Sequence, residues 1–98
     1  MPRVYVVSKA SYDFSLINKW GPHTFVVNKR YNPTNIKAMM TDVEEGLKDS
    51  KPDDYVLLNG LPVLQSLVCI TFVRMHGKLN VLIFNNGEYM ERRLDGLA

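Results

Sequence analysis

Residues 62–76 read PVLQSLVCITFVRMH, and the fold turns on whether this run coils or extends. Val63, Val68, Ile70, Thr71, Phe72 and Val73 are the β-branched and aromatic types that pack well in strands. The run is nevertheless far longer than the roughly 5–6 residues of an ordinary strand. Pro62 suits the first position of a helix, where an N–H would have no partner, and His76-Gly77 supplies a C-terminal cap. The balance predicts a largely buried helix over residues 62–75.

Working back from it, Tyr55-Val56-Leu57-Leu58 is short and almost wholly apolar, as a strand buried on both faces should be. Ser50-Lys51-Pro52-Asp53-Asp54 reads as a solvated turn before that strand, and Asn59-Gly60 as the tight turn after it. Residues 33–49 are the clearest helix. Ile36, Met39, Met40, Val43 and Leu47 share one stripe, while Lys37, Thr41, Glu44, Glu45 and Lys48 fall away from it. Asn32-Pro33 or Pro33-Thr34 is the start signal. Gly46 weakens the helix by roughly 1 kcal/mol relative to Ala, and so points to close packing. At the N-terminal end, residues 3–7 form a strand. Ser11 or Asp13 caps a short helix that turns Phe14 and Ile17 inward and Leu16 outward, and residues 23–27 form a second strand. Beyond the deciding run, residues 78–84 are a strand, Asn85-Asn86-Gly87 is a hairpin turn, and residues 88–94 return as an edge strand open to solvent.

The order βαβαβαββ implies parallel pairing through right-handed crossovers. The expected fold is a single small three-layer α/β domain over residues 1–98. Its five-stranded sheet is mostly parallel, in the order 2-1-3-4-5, with an antiparallel C-terminal edge hairpin. The architecture resembles a truncated flavodoxin-like sheet, a likeness that brings no function with it.

Composition narrows the class. With 98 residues, 46% hydrophobic and 22% charged, the chain is an ordinary globular sequence and not a disordered one. No stretch approaches the roughly 18 apolar residues of a membrane helix, and Met1-Pro2-Arg3-Val4 opens no secretory signal. The lone Cys69 reads as a structural thiol in a reducing cytoplasm. The net charge of +2 is too small to argue for nucleic acid. Its distribution is uneven, +5 over residues 1–37 and −4 over residues 38–60. Such a dipolar surface steers partners and suits self-association.

In a 2-1-3-4-5 sheet, ligands bind outside the carboxyl ends of the strands where the chain reverses direction, between the first and third strands. The segments that meet there carry Ser8, Lys9, Ser11, Tyr12, Asn59 and Gly60. Two hydroxyls, an ammonium, an amide and a glycine beside helix N-termini could hold a small anion or a nucleotide. The plainer reading is favoured: Ser8, Ser11 and Asn59 cap helices, and Gly60 makes the turn. Neither GxGxxG nor GxxxxGK[ST] occurs, and HxH, CxxC and HExxH are absent, so no cofactor and no metal is expected. His23 falls at a strand start and His76 at a helix end. Cys69 and His76 lie about 10 Å apart along one helix, without a third orienting group. Asp53-Asp54 lies at the end of the sheet opposite the crevice. No catalytic set emerges, and an enzyme is disfavoured. Trp20 and Tyr31, with Lys19, Lys29 and Arg30 nearby, would suit single-stranded nucleic acid if they shared a surface. The exposed edge at residues 88–93 could instead pair with a second copy through Tyr89, Met90 and Arg92, or Glu91, Arg92 and Arg93 could equally be the charges that prevent such pairing.

Three stretches, SYDFSLINKWG, DDYVLLNGLPVLQSL and HGKLNVLIFNNGEYMERRL, resemble a family of small tailed-bacteriophage proteins over residues 3–95. The resemblance transfers no functional residue. It implies a phage-encoded accessory protein acting in the bacterial cytoplasm. No membrane partner is expected, given the lack of a long apolar stretch. The leading expectation is therefore a non-enzymatic interaction module, homodimeric, that binds a host or phage protein. A binder of a small anion or nucleotide is the alternative, and single-stranded nucleic-acid binding is weaker.

Overall fold

The deciding run coils. In the computed structural model, which describes residues 1–10 and 14–95, Pro62–His76 is an α-helix with Pro at its start and an extended Leu61 before it. Gly77 ends it in the left-handed region at φ +74°, and its N–H donates to the Val73 carbonyl at 2.7 Å. Only glycine adopts that conformation without a steric penalty. The helix is less buried than its composition suggests. Leu64, Val68, Thr71 and Phe72 turn inward, while Ile70 and Met75 face solvent, because the helix packs by one face only.

The elements run β1 (Val4–Ser8), a 3₁₀ helix (Ser15–Trp20), β2 (His23–Val27), α1 (Ile36–Leu47), β3 (Tyr55–Leu57), α2 (Pro62–His76), β4 (Leu79–Asn85) and β5 (Glu88–Leu94). They form one sheet in the order β2-β1-β3-β4-β5, parallel throughout except for the antiparallel β4–β5 hairpin. This is the expected topology. The hairpin turns on Asn86 and Gly87, at φ +53° and +82°, the positive pair that a two-residue type I′ turn needs.

Strand alternation divides the core. Tyr5, Val7, Val56 and Val81 point to the face covered by α1 and α2, where Met39, Val43, Leu64 and Phe72 meet them. Val4, Val6, Leu57 and Leu82 point the other way, beneath Phe14 and Ile17. The six-residue 3₁₀ helix therefore covers one face almost alone.

Four local expectations are corrected. The first helix is 3₁₀ in type; Phe14 and Ile17 are buried and Leu16 exposed, as the stripe required, while the expected caps Ser11 and Asp13 lie outside the described residues. The next helix, α1, begins at Ile36 and not at residue 33. Asn35 caps it by accepting from the Ala38 N–H at 3.3 Å. Asn32 spends its side-chain oxygen on the N–H and hydroxyl of Thr34, at 3.0 and 2.8 Å, so of two competing asparagines the later one wins. Ile36, in the first turn, is exposed. In the third strand, β3 stops at Leu57, leaving Leu58 37% exposed. Asp54, finally, is buried instead of solvated.

Gly46 marks the contact between α1 and β2. A Cβ there would lie 2.4 Å from the Val26 carbonyl oxygen and 2.9 Å from Val26 Cγ1. Helix propensity alone says that Gly46→Ala stabilises by about 1 kcal/mol. The packing reverses the sign, and a loss of about 1–3 kcal/mol is expected. Urea unfolding decides between them: a raised midpoint would mean that the helix moves away from the strand freely.

Candidate functional site

The site at the carboxyl end of the sheet is built from the shortest strand. β3 has three residues, and side chains extend its pairing with β1 at both ends. The Asp54 Oδ1 accepts from the Arg3 N–H at 2.9 Å and Oδ2 from the Lys51 N–H at 2.8 Å. Asn59, at the other end, accepts from the Ser8 N–H at 2.8 Å and donates to the Ser8 carbonyl at 2.9 Å. Both clamps keep the register of Val4↔Tyr55 and Val6↔Leu57. Asn59 therefore replaces the ladder bonds that are lost when the backbone peels away into α2; it does not cap that helix. Gly60, at φ +86°, follows in a conformation that side chains rarely adopt, and a Cβ on it would stand 2.5 Å from Ser8 Oγ.

Of the residues singled out for an anion, Ser8, Asn59 and Gly60 come together, and Lys9 follows Ser8 with its N–H bonded to the Val27 carbonyl at 2.9 Å. Ser11 and Tyr12 lie outside the described residues. The polar groups of Asn59 are directed at Ser8, and Gln65 donates to the Gly60 carbonyl at 2.8 Å. What is assembled here is a strand-to-helix junction.

Beside that junction lies a feature the sequence reading missed. On the 3₁₀-helix side of the sheet, Phe14, Leu16, Leu57, Leu58, Asn59, Phe84 and Tyr89 enclose a groove of about 500 Å³. The Phe84 and Tyr89 rings, paired across the hairpin, lie 4.9 Å apart at 60°. Leu16 and Phe84 remain 59% and 58% exposed. In the sequence Phe84 looks like ordinary core, whereas Leu16 is expected to point outward. The available signals were Leu16, which falls off the Phe14–Ile17 stripe, and Phe84, which ends an apolar strand just before a polar turn.

A polar cluster stands further along the same sheet face. Trp20 Nε1 and the Tyr55 hydroxyl donate to the Glu91 carboxylate at 3.3 and 3.4 Å, and Arg93 Nε donates to it at 2.5 Å. Burial pushes the Glu91 carboxyl up, but the hydrogen bonds and charge of Arg93, helped by Trp20 and Tyr55, hold it below the usual range. Tyr31 belongs to the other face, where it packs on the α1/α2 core and donates to Asp42, itself paired with Lys29 at 3.0 Å. Trp20 and Tyr31 thus do not form one basic-aromatic surface. Burial and the Asp42 carboxylate push the Tyr31 hydroxyl well up, while Tyr31 and Lys29 pull Asp42 down.

One pair with a catalytic look also escaped the sequence, since its members lie 26 residues apart. Ser50 Oγ is 2.9 Å from His76 Nε2. Ser50 is buried, with its N–H bonded to the last turn of α1, so the pair ties α1 to α2. Burial lowers the His76 pKa from its ordinary 6.5; the Asp54 charge opposes this and Lys78 reinforces it. Cys69 is half-buried, and burial raises its thiol pKa, as for an unreactive structural cysteine. Among the described residues no cluster of His, Cys, Asp or Glu could hold a metal, and no helix is long and apolar enough to cross a membrane.

The family model for phage Pam3 gp32-like proteins matches residues 2–95, which bears out the resemblance to small phage proteins. No curated protein and no solved structure matches the chain.

Two expectations follow from the junction and the histidine. Asn59→Ala removes both bonds to Ser8 and should lower stability by about 1–3 kcal/mol; an unchanged urea midpoint would assign the ladder extension no energetic role. A folded-state pKa below the unfolded value means that the unfolded chain binds the proton first. The His76 contribution is therefore complete above about pH 6.5 and lost as pH falls below it. The stability gap between wild type and His76→Gln should accordingly narrow between pH 7.5 and pH 5.5. A constant gap would contradict the assignment.

Proposed function

This chain belongs to the phage Pam3 gp32-like protein family, and we propose that it serves the phage as a small non-enzymatic interaction module in the cytoplasm of the infected bacterium. Its working surface is the groove at the carboxyl end of β3, which receives an apolar segment of a host or phage protein.

The observation that carries this reading is the exposure of large apolar side chains around one concavity. Leu16, Leu58 and Phe84 flank the groove at 59%, 37% and 58% exposure. Residues of this kind gain roughly 25 cal/mol for each Å² taken out of water, and partner proteins anchor in such pockets through aliphatic and aromatic side chains. The polar edge of the groove is already occupied, with Asn59 bonded to Ser8. What the groove offers a visitor is mainly shape and apolar area.

The test is a binding comparison among variants of matched melting temperature. A partner captured from infected cells by the tagged protein should be identified and its complex remade from pure components. Phe84→Ser and Leu16→Ser should weaken that complex at least 10-fold. Ile70→Ser, which changes an exposed apolar residue on α2, should leave it unchanged. Backbone amide shifts on titrating the partner should cluster at the groove. Equal affinity for wild type and Phe84→Ser, or shifts centred on α2, would remove the reading.

A further inference from the structure

We propose that a second copy of this chain pairs with β5, antiparallel and centred on Met90, to make a continuous ten-stranded sheet. This goes beyond the groove reading and does not depend on it.

β5 is the edge of the sheet, and among the described residues no strand but β4 pairs with it. Asn85 and Glu88 close the two-residue turn and share its hydrogen bond. Alternation along the antiparallel ladder then aims the N–H and C=O groups of Met90 and Arg92 at β4, and those of Tyr89, Glu91 and Arg93 outward. The free edge is seven residues long, against five at β2 on the opposite side.

Charge selects the register. A twofold axis normal to the sheet keeps each face on its own side, so opposed residues must come from the same face. Centred on Glu91, the pairing sets Glu91 against the partner's Glu91. Centred on Arg92, it sets Arg92 against the partner's Arg92. Like charges directly opposite each other destabilise a sheet. Centred on Met90, the pairing sets Glu88 against the partner's Arg92 and Arg92 against the partner's Glu88, with Met90 against the partner's Met90 between them. Tyr89 and the partner's Glu91 then exchange the backbone bonds on the other face. Glu88 and Arg92 are both exposed, and no ion pair within the chain engages either among the described residues. Arg92 Nη1 donates to the outward Glu91 carbonyl at 2.7 Å, a bond the partner's Tyr89 N–H would replace. Glu91 and Arg93, whose charges this register does not use, already pair with each other.

So short a ladder belongs with the smaller, weaker interfaces, and a dissociation constant in the micromolar range or above is expected. In sedimentation equilibrium the wild type should exceed the 11.2 kDa of one chain as concentration rises. Glu88→Arg and Arg92→Glu, each made alone, should weaken association at least 10-fold, and the two together should restore it to within about threefold. In a Cys69→Ser background, Met90→Cys should form a covalent dimer under mild oxidation, because the two positions face each other at a close non-hydrogen-bonded site. Tyr89→Cys, which faces residue 91, should cross-link far less. A wild type that stays monomeric at millimolar concentration overturns the proposal. So do single charge reversals without effect, or cross-linking at position 89 in preference to 90. A monomer that still loses its partner on Phe84→Ser would overturn the dimer and leave the groove reading intact.

Discussion

The pairing of β1 with β3 is the constraint on which the rest of the structure depends. β3 is too short to hold its place by ladder bonds alone, with three residues between a turn and a helix. Asp54 and Asn59 lengthen it at either end by offering side-chain oxygens where the next backbone carbonyl would have been. Asn80 adds to this from β4, donating to the carbonyls of Pro52 and Asp54 at 2.9 and 3.0 Å. Each bond nets only about 1 kcal/mol, but each group left unmade in a partly buried setting costs more than that. The clamps therefore act chiefly on register. They fix where β3 enters and leaves the sheet, and with that where α2 starts and where the carboxyl-end groove opens.

The two faces of the sheet receive unequal cover. On one, α1 and α2 bring 27 residues of helix between them; on the other, a single six-residue 3₁₀ helix covers Val4, Val6 and Leu57 and ends near Trp20. Phe84 and Tyr89 share the thinly covered face with Leu82 by strand parity. Nothing longer than the 3₁₀ helix is available among the described residues to reach them. The exposed groove is thus a consequence of topology. A helix of ordinary length after β1 would have closed it. In a phage protein of this size, an apolar surface left open in this way is a liability to solubility unless a partner covers it, and that favours reading the groove as a contact surface.

How much of this could be read from the residues follows from the range of the interactions. Pro62 and Gly77 fix α2 from its two ends, and Asn86-Gly87 fixes the hairpin, since each acts through its own backbone. The alternation of elements then leaves the order 2-1-3-4-5 as the simplest arrangement. Gly46 was legible as a contact but not the contact's identity, because Val26 is 20 residues away. The clamps were not legible: Asp54 and Asn59 look like turn residues until β1, 51 residues distant, lies beside them. The same holds for Ser50 and His76. Leu16 was legible as outward because it falls off the Phe14–Ile17 stripe. Leu58 and Phe84 read by type as buried, and only the shortness of the covering helix leaves them in water. Asn32 and Asn35 show the opposite limit, for both can cap a helix locally and only the rest of the turn chooses between them.

The groove and the β5 edge meet at Tyr89. Its ring lines the groove against Phe84, and its backbone faces the open edge of β5. In the proposed dimer the twofold axis is normal to the sheet, so both grooves open on the same face. Each lies about two strands from the axis, and with strands roughly 4.8 Å apart their centres are separated by about 20 Å. Two weak sites at that spacing reinforce each other only for a partner that reaches both, because the second contact is then made at an effective concentration set by the span. A shallow apolar groove that binds poorly alone can in this way serve a dimer well. The edge pairing would matter for function by setting the distance between the two grooves, more than through its own buried area.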